Sequence, residues 1–548
     1  MKITPFDLIS VPTLPEEVKN LTICTSRKTT CCTTFIEEQM RIVVKQRIEN
    51  KLQDQIFMLR DFFERHLLSF KQQMRDQIFL NKDFLNQMFT KTYGPFYKSN
   101  IKVFDELYTE LDNYLYTDTV KPIPLIMDQF FEQSYLIIFE LLNPLKKVVT
   151  NEQKECLLRM KKDLKPFSNI PKRISGQLSK SFTVWRSFFV VIEEVVTQLH
   201  SLLKTTIPEE CVNKLVQMQY CQVCTFNQNN IPGSKPCYGY CSNILKGCLA
   251  EYAEIDAQWN VLLDSLLQLF NKLKDVSNPI TTLAPLPAQI SEGFMIYQER
   301  GAELSNRIIL NCFDDINPPE IFKMNRRKRG NNNENNGVEL KIGKNKNIIK
   351  KRRDSDIITR MVETFGDQLK RMKNFWKTLP ESLCDDKLSS KDNQFCWNGN
   401  EITSQYKYKI IPDGIKKQKY NPEYSSQRLY LTLSMDKFLD QRIKFVTLSN
   451  TIGKMFKHNS NNDIIEGSGN VTEQMRINIL GDDEDDEDIY EGSAMEIEEE
   501  ILNDIRYLTM NDVTSAEHKS NITNPSSKLS KITSMLIILV IYHFFLYH

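Results

Sequence analysis

The chain has 548 residues, 41% of them hydrophobic and 26% charged, with a formal net charge of +1. That composition supplies apolar material for roughly three or four domain-sized cores and excludes a uniformly basic nucleic-acid binder or an acidic solvating protein. Eighteen glycines exclude collagen-like classes, six scattered histidines argue against a His-built metal site, and no P-loop, G-x-S-x-G, H-E-x-x-H or kinase signature is present, so neither an enzyme nor a cofactor is expected.

Residues 1–20 carry Asp7 and the prolines Pro5, Pro12 and Pro15, which break any apolar run long enough for a secretory signal. Asn20 opens the first N-glycosylation sequon, Asn20-Leu21-Thr22. From Glu16 to Tyr93 there is neither Gly nor Pro. Within that stretch Ile48, Leu52, Ile56, Leu59, Phe63, Leu67, Phe70, Met74 and Ile78 recur at spacings of three and four. This is one apolar face of a long helix, and a core face is expected rather than a coiled-coil seam. Similar patterns predict helices at 99–117, 124–149, 180–206 and 251–274, with further stretches near 288–310, 356–378 and 430–456. Regular strand alternation is scarce, so the fold class is all-α.

Two regions interrupt this pattern. Residues 323–353 hold twelve Lys/Arg against Glu334 and Glu339, a net +10, and the Asn-rich stretch 323–356 is expected to form a disordered loop. Within it Arg326-Arg327-Lys328-Arg329 fits a secretory convertase site cut after Arg329, and Lys350-Lys351-Arg352-Arg353 is a weaker second site. A nuclear-localisation or nucleic-acid patch is the other reading of such a run. Residues 463–500 hold fifteen Asp/Glu against Arg476, a net −14, and self-repulsion should keep this stalk extended.

The C-terminus reads MLIILVIYHFFLYH over residues 535–548. Such a run is short of the ~20 residues a helix needs to cross a bilayer. A polar spacer and the small residues Thr523, Asn524, Ser526 and Ser527 precede it, the pattern of a glycosylphosphatidylinositol (GPI) attachment signal, with Asn524 or Ser526 as the candidate attachment residue. A GPI signal requires a chain already in the secretory lumen, so the start of the sequence is expected to be missing.

Thirteen cysteines stop at Cys396. Zinc-bound thiolates in a reducing compartment compete with a disulfide framework in an oxidising one. Cys221-x-x-Cys224 looks zinc-like by itself, whereas adjacent Cys31-Cys32 and the long spread suit disulfides. Six cysteines lie between Cys211 and Cys248. The segment Pro236-Cys237-Tyr-Gly-Tyr-Cys241-Ser-Asn-Ile-Leu-Lys-Gly247-Cys248-Leu-Ala resembles the signature of the glypicans, cell-surface heparan sulfate proteoglycan cores. Thr30-Cys31-Cys32 before a long helix, Phe104-Asp-Glu-Leu107-Tyr and Cys396-Trp397-Asn398-Gly399 are similar to that family as well.

The resemblance implies a fully disulfide-bonded core with one more cysteine than is present here. It implies the pairs Cys24–Cys221, Cys32–Cys224, Cys156–Cys312, Cys211–Cys248, Cys237–Cys396 and Cys241–Cys384, leaving Cys31 for a partner upstream. Cys237–Cys396 and Cys241–Cys384 would span Arg329 and keep the two cleavage fragments together. The implied function is a GPI-anchored co-receptor or reservoir for growth factors and morphogens of Wnt, Hedgehog, BMP and FGF type. The implied place is the extracellular face of the plasma membrane, with covalent heparan sulfate, the membrane anchor and no nucleic acid among its partners.

Glycosaminoglycan attachment needs an exposed serine beside a small residue in acidic context. Glu466-Gly467-Ser468-Gly469 meets this, and Glu491-Gly492-Ser493-Ala494 is a second candidate that departs at Ala494. Ser175-Gly176, inside a basic helical stretch, does not. Sequons at Asn470 and Asn521 complete the expected modifications. The expected organisation is an elongated, disulfide-stapled helical core over residues 1–455, a disordered acidic stalk over 456–524 and an anchor signal over 525–548. Two alternatives stand beside it: an intracellular tail-anchored scaffold with a zinc cluster at 211–248, and a shed disulfide-rich binding protein without glycosaminoglycan.

Overall fold

Residues Thr34–Tyr93 form one helix, α1, of 60 residues, which at a rise of 1.5 Å per residue is about 90 Å long. Thr33 caps its start, its hydroxyl accepting from the Ile36 amide at 3.3 Å, and Gly94, at φ 53°, ends it in a conformation that L side chains rarely adopt. All nine residues of the predicted stripe from Ile48 to Ile78 are buried. Within the Gly- and Pro-free stretch from Glu16 to Tyr93, α1 begins at Thr34, where Thr33 supplies the cap.

The computed structural model describes residues 21–466 except 25–29, 31, 118–120, 145–147, 149, 225–233, 276, 314–346, 386, 391–394 and 425–437. Every described residue belongs to one compact unit, which falls within residues 1–476. After α1 come α2 (Ile101–Tyr116), α3 (Ile123–Leu142), α4 (Asn151–Leu164), α5 (Ile170–Leu202), α6 (Glu209–Gln219) and α7 (Tyr238–Cys248). These are followed by α8 (Asp256–Lys274), α9 (Leu286–Glu299), α10 (Gly301–Cys312), α11 (Asn347–Arg371), α12 (Phe375–Leu383) and α13 (Leu439–Glu466). The described strands are β1 (Cys396–Trp397) and β2 (Ile402–Thr403), antiparallel with Trp397 opposite Ile402, and isolated bridges join Pro236 to Trp397 and Cys237 to Ser390. The unit is all-α, as expected.

α1 packs along α5, and α8 lies against both α11 and α13. Their shared core is aromatic. Phe70 meets Phe188 edge-to-face at 5.3 Å, Trp259 meets Phe63 at 5.7 Å, and Phe365 of α11 lies 5.2 Å from Phe270 of α8. Each such ring contributes about 2–3 kcal/mol by burial alone. The indole of Trp185 donates to the Ser277 carbonyl at 2.8 Å, so its polar atom is also satisfied.

Several predicted boundaries move. α3 stops at Leu142 instead of 149, because Pro144 disfavours helix at the residue before it and Asn143 bonds across to Ser305 at 2.8 Å. α5 starts at Ile170 with Pro171 in its first turn, ahead of the predicted 180. The stretch predicted near 288–310 breaks at Arg300 into α9 and α10, where a Cβ on Gly301 would stand 2.8 Å from Leu142. Asn374, at φ 60°, separates α11 from α12 within the predicted 356–378. α11 already begins at Asn347, so the last part of the predicted loop 323–356 is helical. α13 runs to Glu466, past the predicted core boundary at 455.

Candidate functional site

The cysteine framework is the feature most demanding of explanation. Disulfides join Cys24–Cys221, Cys32–Cys224, Cys156–Cys312, Cys211–Cys248, Cys237–Cys396 and Cys241–Cys384, the six pairs the family resemblance implies. Their Cα atoms lie 4.8 to 6.0 Å apart, inside the range a bridge can span without moving backbone. Five of the six close on the stretch Cys211–Cys248, so α6 and α7 tie together the start of α1, α12 and β1. The zinc alternative fails here, since all six cysteines of that stretch are oxidised and offer no thiolate. Cys31 lies outside the described residues.

α7 is the centre of this hub because its small residues let chain from the C-terminal side approach closely. A Cβ on Gly247 would stand 2.2 Å from the ring of Tyr424, and one on Gly239 2.7 Å from Tyr406. Asn243, fully buried, donates to the Lys409 carbonyl at 3.0 Å and accepts from the Ile411 amide at 2.8 Å. Its own carbonyl accepts from Asn421 at 2.8 Å. The Tyr424 hydroxyl donates to the Ile244 carbonyl at 2.9 Å, and burial pushes its pKa well above the ordinary value. The ammonium of Lys246, 6% exposed, sits 3.2 Å from Glu381 and 3.4 Å from Asp413. Residues 405–424 are therefore held as a strap across α7, with a 3-10 turn at Ile415–Tyr420.

Chemistry of a catalytic kind does not emerge from this arrangement. Among the described residues no group of three His, Cys, Asp or Glu is placed to hold a metal, and no helix is long and apolar enough to cross a membrane. A surface cleft of about 380 Å3 opens between α1 and α11, lined by His66, Ser69, Ile357, Arg360, Met361 and Thr364. Burial lowers the pKa of His66, which stacks on Phe365 at 4.6 Å. The His66 Nδ1 bonds the Phe62 carbonyl at 2.8 Å.

The predicted modification residues Asn20, Arg329, Ser468, Asn470, Ser493, Asn521, Asn524 and Ser526 lie outside the described residues. What the structure does place is their approach. α13 is described as far as Glu466, two positions before Ser468, and its buried side chains Phe445, Leu448 and Ile452 seat it in the core. Ser175-Gly176 lies within α5, which removes it as an extended acceptor. The second basic site, Lys350 to Arg353, is on α11 rather than in a loop, so it lacks the extended backbone a convertase reads. The strap and the Asn243 hub were not anticipated from the sequence.

Comparisons with known proteins agree on one family. The family model described as Glypican matches residues 2–545. A curated relative, glypican-5 of Mus musculus, is 25% identical over 414 residues, covering 75% of this chain and 70% of its own length. The crystal structure of C-terminally truncated glypican-1 shares the fold at a TM-score of 0.66 and 22% identity, over 83% of this chain and 96% of that one. The structure of Dally-like protein in complex with O-palmitoleoyl serine superposes at 0.56 and 25% identity, over 82% of this chain and 95% of that one.

Proposed function

The chain belongs to the glypican family of heparan sulfate proteoglycan core proteins, and from that premise we propose that it is a GPI-anchored cell-surface co-receptor or reservoir for secreted signalling proteins. The single observation that carries the reading is the disulfide hub on α6 and α7, which a reducing compartment would not maintain. A protein so stapled presents a rigid core, and attached polysulfated chains would capture basic ligands with salt-dependent affinity. The domain division that goes with it is a core reaching to the end of α13, an acidic stalk carrying Ser468 and Ser493, and an anchor signal beyond residue 524. Growth factors and morphogens are the ligand class this reading favours. The acyl-serine complex of Dally-like protein supports including lipid-modified ones. No catalytic role is assigned, since binding and presentation account for the residues described.

Two treatments of cells making the protein test this. Phosphatidylinositol-specific phospholipase C should release it into the medium, and heparinase should collapse a broad band to a sharp core. A sharp band unchanged by heparinase favours the shed binding protein without glycosaminoglycan. Retention on the cell after the phospholipase overturns the anchor.

A further inference from the structure

Five of the six disulfides close on the stretch Cys211–Cys248, and the sixth, Cys156–Cys312, stands apart from them. The other ten paired cysteines are at most 7% exposed, whereas Cys156 and Cys312 are both partly exposed. The bridge joins α4 to the last residue of α10, two elements that none of the other five reaches. These two helices are seated differently. α10 buries Leu304, Ile308 and Ile309, and Phe313 beyond it stacks on Phe139 at 5.9 Å. α4 buries only Leu157 and Leu164 of its 14 residues. Its C-terminal half is also held by Arg300, which donates to the Leu164 and Lys165 carbonyls at 3.4 and 3.3 Å, and by Lys161, paired with Asp128 and Glu132. In its N-terminal half Leu157 is the one buried side chain, next to the bridge at Cys156.

We infer that Cys156–Cys312 is a redox switch, opened by an extracellular dithiol reductant to release the N-terminal half of α4 while the hub stays closed. Reduction needs a thiolate to reach one sulfur of the bond, so a partly exposed bridge is open to attack while the buried sulfurs of the hub are shielded. The attack falls on Cys312. A thiolate left at the C-terminus of α10 would meet the negative end of the helix dipole, so Cys156 is the better leaving group. The Sγ–Sγ bond breaks, and its electron pair stays on the Cys156 Sγ, which takes a proton from water. The second thiolate of the reductant then displaces the Cys312 Sγ from the mixed disulfide, leaving two protein thiols and an oxidised reductant. Without the bridge the first half of α4 depends on Leu157, and a helix of 14 residues is marginal in water on its own. α10 keeps its own seat, so the opening is local. The inference does not depend on an anchor or on attached glycan.

The experiment titrates the full-length protein with dithiothreitol under native conditions, after N-ethylmaleimide has blocked any thiol already free. New thiols are alkylated with iodoacetamide and located by peptide mass spectrometry. Cys156 and Cys312 should be labelled at about one-tenth, or less, of the dithiothreitol concentration that labels any cysteine between Cys211 and Cys248. At that concentration the helical circular dichroism should be kept, and trypsin cleavage after Lys154 and Arg159 should become at least about tenfold faster. Cys156→Ser/Cys312→Ser should show the faster cleavage without reductant and no further response to it. Should that variant fail to fold, the wild-type titration decides alone. Labelling of the hub cysteines before the pair, or together with it, overturns the inference. So does selective labelling of the pair with cleavage after Lys154 and Arg159 unchanged, since the bridge would then not be what holds α4.

Discussion

Glu37 holds the Cys24 backbone: its Oε1 accepts from the Cys24 amide at 2.7 Å and from the Ile23 amide at 3.1 Å, while Oε2 accepts from the Thr22 amide at 3.0 Å. The carboxylate is 4% exposed, in the first turn of α1, and three peptide donors stand in for the water it has lost. The Cys24–Cys221 bridge then fastens the same segment to the hub. A disulfide fixes one atom pair, whereas the carboxylate fixes the direction of the chain approaching it.

Glu37→Ala should therefore leave the buried Ile23 and Cys24 amides and the part-buried Thr22 amide without this acceptor, at a cost of about 1–3 kcal/mol for a buried group, and lower Tm. Hydrogen exchange at Ile23 and Cys24 reads the local effect directly. Unchanged protection of those amides in the variant would show that the bridge alone orders the segment.

The hub makes a sharper demand at Gly247. The contact of α7 with Tyr424 has no room for a methyl group, since the added Cβ would fall 2.2 Å from Cε2 of the ring. Gly247→Ala should expel the ring, break the Tyr424 to Ile244 hydrogen bond and loosen the strap, seen as trypsin cleavage after Lys416 and Lys417. In a Tyr424→Ala background Gly247→Ala should cost no further stability, because the ring it would meet is gone. A single variant as trypsin-resistant as wild type would contradict the packing described here.

A pH effect is expected at the same place. Burial raises the pKa of Glu423 above the ordinary carboxylate value, against the opposing pull of the Tyr406 hydroxyl and Lys214. The folded state thus binds the Glu423 proton more tightly than the unfolded chain does. This contribution is complete below the ordinary carboxylate pKa and is lost as pH rises through the raised one. Strap opening, followed by tryptic susceptibility, should increase across that window in the wild type and stay flat in Glu423→Gln. The same rise in both proteins would remove Glu423 as the cause.

The long elements were legible because their periodicity is long. Nine apolar residues from Ile48 to Ile78 keep one face over eight turns, and no local conflict disturbs them. The α9–α10 break was not legible: the helical pattern continues through Gly301, and only the approach of Leu142 shows why the chain turns there. The strap had no pattern to read, since its path follows from the side chain of Asn243 rather than from its own hydrophobic spacing. Nothing in the spacing around Glu37 marks it for burial, which follows from its bonds to the Thr22, Ile23 and Cys24 amides. The cysteine pairs were available only through the family resemblance, as spacing cannot choose among connectivities.

Cleavage after Arg329 is expected in secretory cells, and the bridges give it a distinctive readout. Cys237–Cys396 and Cys241–Cys384 both span the site, and α11, α12 and α13 follow it in sequence yet pack on α8, α7 and α5, which precede it. Reducing gels should show two fragments where non-reducing gels show one band. Arg329→Ala should restore the single reduced band; two fragments persisting in that variant would place the cut elsewhere, and α11 makes Lys350 to Arg353 a poor substitute.

The position of Ser468 gives the last prediction. Helix α13 is anchored in the core through Phe445, Leu448 and Ile452 and is described to Glu466, so a chain begun at Ser468 would start close to where the folded unit ends. Gly467 and Gly469 leave the serine unobstructed on both sides, and the segment 463–500 supplies the acids a xylosyl transferase reads, at a net −14. Ser493 has the acids but Ala494 in place of the second glycine, so it should be used less. The Asn470 sequon, two residues away, competes for space with initiation at Ser468. Ser468→Ala should accordingly remove most of the heparinase-sensitive mass, and Ser468→Ala with Ser493→Ala the remainder. Asn470→Gln should raise occupancy at Ser468 rather than lower it. A heparinase-sensitive smear surviving in the double variant would move the attachment sites off these serines, whatever becomes of the core.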